Sequence, residues 1–566
     1  MRTAWLWVLG VAIAASAQTV MPLAEVRPGM TGYGLTVVAG TEIARFEAQV
    51  VAVLDEPGDK NDFILVRVWG PAITQSGGVA QGMSGSPVYL DGRLAGALSR
   101  AALWSMDREK PLALVTPIEP MLKVLEEVVN GYSADPGEVM AGVVPAPDLW
   151  DISVPMTVSG LSTRAVGLLE QGWSWDGLEM SELVPLFRRK VPGLLDLGVP
   201  KVQAVPRASG GATMNFVPGG PVGVALAMGD ITVGALGTVT LVRDGAILAF
   251  GHPFLLTGAC RYFLTDAAIF ATVAAYDISY KFGSLGEIRG GVFADRMPGV
   301  AGLTGRIPRG IATTITVRDL GTLASRTLAV QLVDEARLSP LLLFVSGVQA
   351  ADEVLDRIGP GTMTVRYTLR GLGLPRPLTR QNVFLSTEDI ALYTAWEAAL
   401  VADLLMYNEF QDPRLTSIDL EVAVRGDFRA AEIVDLATEK VEYAPGEVIR
   451  FALWMRNWRG QEERWDGQLR IPEGLESPYV ELRAYAGPRR REKAEPPPVF
   501  EGIEDLMSFV EGIPSYDTVT VELFARDPIS DLVGETWLYG VHKVSDRLPG
   551  VFVYGRVSLI LPLTGD

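Results

Sequence analysis

The chain has 566 residues, of which 48% are hydrophobic and 20% are charged, and its formal net charge is −18. This length and composition exclude a disordered chain and predict about three or four folded domains. The acidic balance argues against nucleic acid and against anionic lipid as partners, because binding to either needs a basic surface.

The N-terminus has the pattern of a secretory signal peptide. Arg2 precedes an apolar run over residues 4–14, and Ala15-Ser16-Ala17 provides the small residues that a cleavage site needs. The run is short for a membrane span, and no cysteine follows it that could carry a lipid anchor. We therefore predict that residues 1–17 are removed and that the mature protein is exported to the periplasm, the cell surface or the medium, without an integral membrane span.

Residues 18–130 have the spacing of a β-rich unit. Alternating apolar runs at 34–38, 46–54 and 63–68 are separated by glycine and proline, which predicts an antiparallel β-barrel half. Residues 121–129 have apolar side chains at helical spacing. We expect this helix to close the unit.

A glycine-rich loop in this unit has the strongest chemical signal: Gly77-Gly78-Val79-Ala80-Gln81-Gly82-Met83-Ser84-Gly85-Ser86-Pro87. Its glycines permit unusual backbone angles and leave room for a carbonyl to approach the Ser84 hydroxyl. The amides of Gly82 and Ser84 can converge on one point and hold the oxyanion of an acyl-transfer intermediate. The loop predicts Ser84 as a nucleophile, and a tight structural turn between two strands is the alternative.

The string Gly-Gly-x-x-Gln-Gly-Met-Ser-Gly-Ser-Pro and its flanking strands, from Gly34 to Leu122, resemble the SpoIVB-type serine peptidases, which are distant relatives of chymotrypsin. The resemblance extends over residues 20–125 and 215–310. It implies that Ser84 is the nucleophile and that the partner histidine lies in a Gly-His motif. In the family pattern the histidine half precedes the serine half, whereas here the two halves are exchanged.

Residues 211–330 predict a second barrel half. Strand-like runs over 222–226, 231–242 and 246–250 lead into Gly251-His252-Pro253-Phe254, which is similar to the family's Gly-His motif. The chain has two histidines, and the other, His542, is expected to be structural. We therefore predict His252 as the general base, and an ordinary histidine at a strand end is the alternative.

A catalytic triad would need a carboxylate that orients the imidazole. Asp295 follows His252 within the same predicted barrel half and is the candidate for this role. Asp266 is a nearer rival, and a Ser-His dyad without an acid is a further alternative. A structural ion pair between Asp295 and Arg296 would also account for the aspartate.

Cys260 is the only cysteine, so no intrachain disulfide can form. Its thiol is an alternative nucleophile because His252 is near in sequence, but a lone cysteine between apolar segments is usually a small buried side chain. Two histidines and one cysteine are too few for a zinc site, and the sequence contains no phosphate-binding loop. No metal or organic cofactor is therefore expected.

The remaining segments predict further domains. Residues 131–210 form a connecting region, residues 331–426 a mixed α/β region with a long helix at about 387–407, and residues 427–566 an immunoglobulin-like β-sandwich. The predicted fold class is mainly β, with two chymotrypsin-like barrel halves, a connecting α/β region and the C-terminal sandwich.

These features together predict an exported serine endopeptidase that cleaves a protein or peptide substrate. In this hypothesis His252 takes the proton of Ser84, and Gly82 and Ser84 form the oxyanion hole. The alternative is a non-catalytic protein of the bacterial cell envelope that keeps the peptidase fold for binding or as a scaffold.

Overall fold

A computed structural model of the chain describes residues 19–54, 62–101, 107–131, 150–151, 156–173, 191–194, 196, 202–205, 215–275, 278–489, 498–526 and 538–564. The predicted signal peptide, residues 1–17, lies outside the described residues. The fold is mainly β, with 52% strand and 16% helix, which confirms the predicted fold class. The chain divides into two compact units.

The first unit comprises Met1–Thr157, Ala208–Val224 and Ala235–Ile307. Its first barrel has six strands: β1 (Thr31–Val37), β2 (Ile43–Leu54), β3 (Phe63–Trp69), β4 (Pro87–Leu90), β5 (Arg93–Ala101) and β6 (Leu112–Pro117). They pair in the cyclic order β4, β1, β2, β3, β6, β5 and close because β4 also pairs with β5. Every second residue of β3 is buried, as the alternating pattern of the sequence predicts.

Two helices and a short strand accompany this barrel: α1 (Pro71–Gln75), α2 (Ile118–Val129) and β7 (Trp150–Asp151), which pairs with β5. Helix α2 agrees with the helix predicted at 121–129. It buries Met121 and Leu125 in a core that also contains Leu248 and Ala301, from the second barrel of the same unit.

Between the two barrels the described chain forms short elements: β8 (Met156–Ser159), α3 (Thr163–Gln171), β9 (Gly172–Trp173), β10 (Val191–Pro192) and β11 (Val202–Ala204). The side chain of Ser162 caps α3 by accepting a hydrogen bond from the Ala165 amide. The segment from Val158 to Arg207 belongs to the second unit.

The second barrel also has six strands: β12 (Pro221–Gly229), β13 (Thr232–Arg243), β14 (Ala246–Ala249), β15 (Gly258–Val273), β16 (Tyr280–Arg296) and β17 (Gly299–Thr304). They pair in the cyclic order β12, β13, β14, β17, β16, β15, with β15 returning to β12. Asp244 and Gly245, with φ of +51° and +81°, make the tight turn between β13 and β14. The end of this barrel at Ala225–Gly234 is assigned to the second unit.

The second unit comprises Val158–Arg207, Ala225–Gly234 and Pro308–Asp566. Five strands pair in the order β19, β18, β22, β20, β21: β18 (Ile311–Asp319), β19 (Ser325–Leu332), β20 (Gly361–Leu372), β21 (Leu378–Ser386) and β22 (Arg414–Arg425). Strands β18 and β22 run parallel, whereas β20 runs antiparallel to both of its neighbours. Strands β20, β21 and β22 lie within the mixed region predicted at 331–426, whereas β18 and most of β19 lie in the range predicted as the second barrel half, 211–330.

Two helices contact each other beside these strands, α4 (Ser339–Leu355) and α5 (Trp396–Met406). The long helix predicted at 387–407 is α5 together with a separate 3₁₀ turn at Ile390–Tyr393. Helix α4 was not predicted, because it is buried on nearly all sides and its sequence lacks an amphipathic period. Among the described residues, no helix has both the length and the apolar character needed to cross a membrane.

The C-terminal region is a sandwich of two four-stranded sheets around one core. Its elements are β23 (Ala430–Thr438), β24 (Val448–Asn457), β25 (Glu462–Arg470), β26 (Tyr479–Ala486), α6 (Ile503–Gly512), β27 (Thr518–Arg526), β28 (Leu538–Arg547), β29 (Phe552–Tyr554) and β30 (Arg556–Pro562). The immunoglobulin-like topology is not confirmed. Strands β23, β24 and β25 pair in succession within one sheet, whereas an immunoglobulin chain crosses to the other sheet after its second strand.

Candidate active site

The Ser84 loop connects α1 to β4 and is tightly constrained. Gly82 and Gly85 have φ of +87° and +90°, in the left-handed region that favours glycine. A Cβ on Gly85 would lie 2.0 Å from the carbonyl oxygen of Thr238, so the loop has no room for a side chain there. Most of the amides in the loop donate to backbone carbonyls, namely those of Gly77, Gly78, Gln81, Met83, Gly85 and Ser86.

The backbone amides of Gly82 and Ser84 differ from the amides of the loop that donate to carbonyls. Both residues are buried, yet within the described ranges neither N–H donates a hydrogen bond. Buried backbone donors without an acceptor are rare in folded proteins. Two such donors beside a serine are what an oxyanion hole requires.

The Ser84 hydroxyl is also unusual. Ser84 is 0% exposed, and its Oγ forms no hydrogen bond with any described group. The Ser86 hydroxyl, by contrast, donates to the Met83 carbonyl at 2.6 Å. A buried hydroxyl without a partner costs about 1–3 kcal/mol, so stability does not explain Ser84. Because the hydroxyl is buried, the groups that cover it must move before a substrate carbonyl can reach it.

His252 lies in the turn after β14 and is 3% exposed. Its Nδ1 is 2.7 Å from the carbonyl oxygen of Pro253. Because a carbonyl only accepts, Nδ1 carries the proton of the neutral ring and Nε2 is the basic nitrogen. This is the tautomer that a general base for a serine hydroxyl uses.

Strand β13 and the residue that follows β14 both lie against the Ser84 loop. The Thr238 amide donates to the Ser84 carbonyl at 3.0 Å. A Cβ on Gly85 would lie 2.5 Å from the Phe250 nitrogen, two residues before His252. The structure therefore brings the serine loop and the histidine segment of this unit together, although no hydrogen bond joins Ser84 Oγ to the His252 ring.

Asp295, in β16, is fully buried, and its carboxylate accepts four hydrogen bonds. The donors are the amides of Phe254 (2.7 Å), Leu255 (2.8 Å) and Thr257 (3.3 Å) and the hydroxyl of Thr257 (3.3 Å). Burial raises the pKa of the carboxyl, and these hydrogen bonds partly offset that effect. None of the four comes from His252. Asp295 thus fixes the loop that follows the histidine, and none of these four hydrogen bonds joins it to the imidazole.

The other candidates have structural partners. Asp266 accepts from the Arg289 guanidinium at 2.7 Å and from the Glu287 amide at 2.7 Å, within the β15–β16 hairpin. Cys260 is a buried cysteine outside any disulfide, and its Sγ lies 3.6 Å from the Val292 carbonyl. Across the described ranges, no three His, Cys, Asp or Glu side chains lie close enough together to hold a metal ion.

Lys281 is a residue near the loop that the sequence analysis missed. It lies at the start of β16 and is 1% exposed. Its Nζ donates to the hydroxyls of Thr36 and Thr238, each at 3.0 Å. A Cβ on Gly82 would stand 3.1 Å from the Lys281 Cβ, so the lysine chain lies against the loop. Burial lowers the pKa of Lys281 to about 7.

Residues 12–106 match the family model described as SpoIVB peptidase S55. The matched segment includes the Ser84 loop and most of the first barrel, but neither His252 nor Asp295. No curated protein matches the chain closely enough to count as a relative. The match agrees with the resemblance carried by the serine loop. The match over residues 12–106 supports the assignment of this segment to the SpoIVB-type serine peptidase family, whose members are hydrolases.

Proposed function

We propose that the protein is an exported serine endopeptidase in which Ser84 is the nucleophile and His252 the general base. The observation that supports this most strongly is the state of the Ser84 loop. Within the described part of the chain, its buried hydroxyl has no hydrogen-bond partner, and the two buried amides beside it have no acceptor. A purely structural turn would leave all three groups unsatisfied for no return in stability.

The mechanism follows from these groups. Nε2 of His252 takes the proton of Ser84 while Oγ attacks the carbonyl carbon of the scissile peptide. The carbonyl oxygen becomes an oxyanion that accepts hydrogen bonds from the Gly82 and Ser84 amides. The imidazolium then protonates the leaving amine, which departs and leaves Ser84 acylated. Water, deprotonated by His252, hydrolyses this ester and restores the hydroxyl.

In this proposal a carbonyl takes the place of the usual third carboxylate. The Nδ1 proton of His252 is held by the Pro253 carbonyl at 2.7 Å, which fixes the tautomer without an acid. Asp295 acts indirectly, because its carboxylate accepts hydrogen bonds from the amides of Phe254 and Leu255, the two residues that follow Pro253. We assign Asp295 as a positioning residue for the histidine turn.

A fluorophosphonate probe tests the enzyme directly, since a serine hydroxyl reacts with it only when a neighbouring base activates that hydroxyl. The wild type is expected to label, and Ser84→Ala and His252→Ala are each expected to abolish labelling, because members of a catalytic unit are not additive. Cleavage of an unfolded protein substrate should follow the same order. If His252→Ala labels as strongly as the wild type, or if the folded protein neither labels nor cleaves, the peptidase proposal fails. The alternative, a non-catalytic binding protein, then takes its place.

Export is proposed from the N-terminal pattern of residues 1–17. Sequencing of the mature protein recovered from cells should then begin at Gln18. Recovery of the protein with Met1 intact would contradict export but would leave the catalytic proposal standing.

A further inference from the structure

Lys281 holds Gly82 from two directions. Its main-chain amide donates to the Gln81 carbonyl at 2.9 Å. Its ammonium donates to the Thr238 hydroxyl at 3.0 Å, and that hydroxyl donates to the Gly82 carbonyl at 2.9 Å. The peptide groups on both sides of Gly82 are therefore tied to the same lysine. Hydrogen bonding to a peptide carbonyl also polarises that peptide, which strengthens the N–H of Gly82 as a donor.

Among the described residues, the charge of Lys281 has no counter-ion. The groups that face its ammonium are hydroxyls, from Thr36 on β1 and Thr238 on β13, and its carbon chain lies against Gly82. No carboxylate, imidazole or phenol in the described part of the unit contributes to the pKa of Lys281, which burial alone lowers. Lysine is almost never fully buried unless it is paired. The fold therefore keeps this ammonium beside the loop at a cost that two hydroxyls, and no anion among the described residues, offset.

We propose that Lys281 is a positioning residue for the oxyanion hole, which fixes the Gly82 amide and provides a positive charge behind it. The inference rests on the proposed function, because it needs an oxyanion beside Gly82 and Ser84. A negative charge that develops there favours the ammonium over the amine. In a buried site this attraction is much stronger than in water, and it is absent before the reaction begins.

Replacement of Lys281 by Met tests the inference. Methionine keeps the apolar chain against Gly82 but has neither the charge nor the donors. We expect kcat on a protein substrate to fall about 10-fold or more with little change in KM, since the contact is made in the transition state. Thr238→Val should cause a similar loss of kcat, because it cuts the link from the lysine to the Gly82 carbonyl. Lys123→Met, an exposed lysine on α2, is the matched control and should retain wild-type rates.

The pH profile separates this role from a structural one. Wild-type kcat/KM should decline on the alkaline side as the Lys281 ammonium is lost, and Lys281→Met should lack that decline. Wild-type kcat and an unchanged alkaline limb in a folded Lys281→Met protein would overturn the inference. The inference would also be overturned if wild-type kcat/KM rose through the same pH range and Lys281→Met abolished that rise, because the lysine would then act as a base. Activity in Ser84→Ala would instead overturn the proposed function itself.

Discussion

Among the residues that the structure describes, two cations are buried, one in each unit, and their surroundings differ. Lys281 in the first unit faces two hydroxyls and none of the described carboxylates. Arg380 in the second unit, on β21, lies 2.8 Å from the carboxylate of Glu397. It also donates to the carbonyls of Val510 and Ile513, at the end of α6, at 2.6 and 2.7 Å. The guanidinium therefore joins β21, α5 and the sandwich region through paired contacts.

The difference separates structure from function. A buried cation with an anion and carbonyl partners is explained by the elements that it holds together. A buried cation without an anion weakens the fold, so its presence needs another reason. In the first unit that reason lies next to it: among the described residues, the Ser84 hydroxyl has no hydrogen-bond partner, and the amides of Gly82 and Ser84 have no acceptor. Buried hydroxyls without a partner also occur at Ser76, Thr157 and Thr265 in the described part of this unit, but at Ser84 such a hydroxyl lies beside two amides that lack an acceptor.

The largest expected effect is on the pH dependence of stability. The pKa of Lys281 is about 7 in the folded chain against an ordinary value of 10.5, so the unfolded chain binds more protons between these two pH values. The free energy of unfolding should therefore rise from about pH 7 to about pH 10, by up to about 5 kcal/mol from this lysine. Below pH 7 the full penalty of the buried charge applies.

Lys281→Met should lack this rise and should be more stable than the wild type below pH 7. Urea unfolding of both full-length proteins at a series of pH values measures the difference, in which other titrating groups cancel. If the free energies of unfolding of the two proteins changed with pH in the same way, the burial cost of the ammonium would be offset more fully than the structure indicates.

The paired cation should respond in the opposite direction. Arg380→Met leaves the Glu397 carboxylate buried without its partner, and we expect a loss of about 3–5 kcal/mol in the stability of the second unit. The double variant Arg380→Met/Glu397→Leu should recover most of that loss, because it removes both charges. Urea unfolding tests both variants, and a single variant within about 1 kcal/mol of the wild type would contradict the structural role.

Much of the fold could be predicted from local sequence. Asp91-Gly92 and Asp244-Gly245 mark tight turns between strand-like runs, and the structure has positive φ at all four residues. Pairing between distant segments could not be predicted in this way. Closure of the first barrel and the approach of β14 to Ser84 depend on tertiary contacts that leave no period in the sequence.

Lys281 shows why part of the site was missed. It stands between Tyr280 and Phe282, so hydrophobicity predicts that the aromatic rings face inward and the lysine outward. In the structure the alternation is reversed, since Lys281 and Gly283 are buried while the two aromatic residues are half-buried. Strand periodicity shows which residues share a face of the strand. The rule that the more hydrophobic face points inward fails here, because a functional charge lies inside the barrel.

Asp295 provides an intermediate case, a buried anion whose partners are backbone amides. Asp295→Asn replaces one acceptor oxygen by an NH₂ group that faces donors, so part of the bonding to residues 254–257 is lost. We expect a loss of about 1–3 kcal/mol in the stability of the first unit, with weaker fluorophosphonate labelling of Ser84 because the histidine turn loosens. Asp266→Asn is the control, since its partners Arg289 and Glu287 lie elsewhere in the hairpin. Equal labelling of Asp295→Asn and the wild type would remove Asp295 from the site.

The smallest effect is expected at Ser86, the serine of the loop that has a partner. Its hydroxyl donates to the Met83 carbonyl at 2.6 Å, and the same carbonyl accepts the Ser86 amide at 3.0 Å. Ser86→Ala removes the first bond and keeps the second, so the turn should persist at a cost of about 1 kcal/mol. Labelling of Ser84 should remain substantial, because neither unpaired amide nor the nucleophile is changed. A loss of labelling as complete as in Ser84→Ala would mean that partnered hydroxyls in this loop also take part in the reaction, and that pairing alone does not separate structural from functional groups.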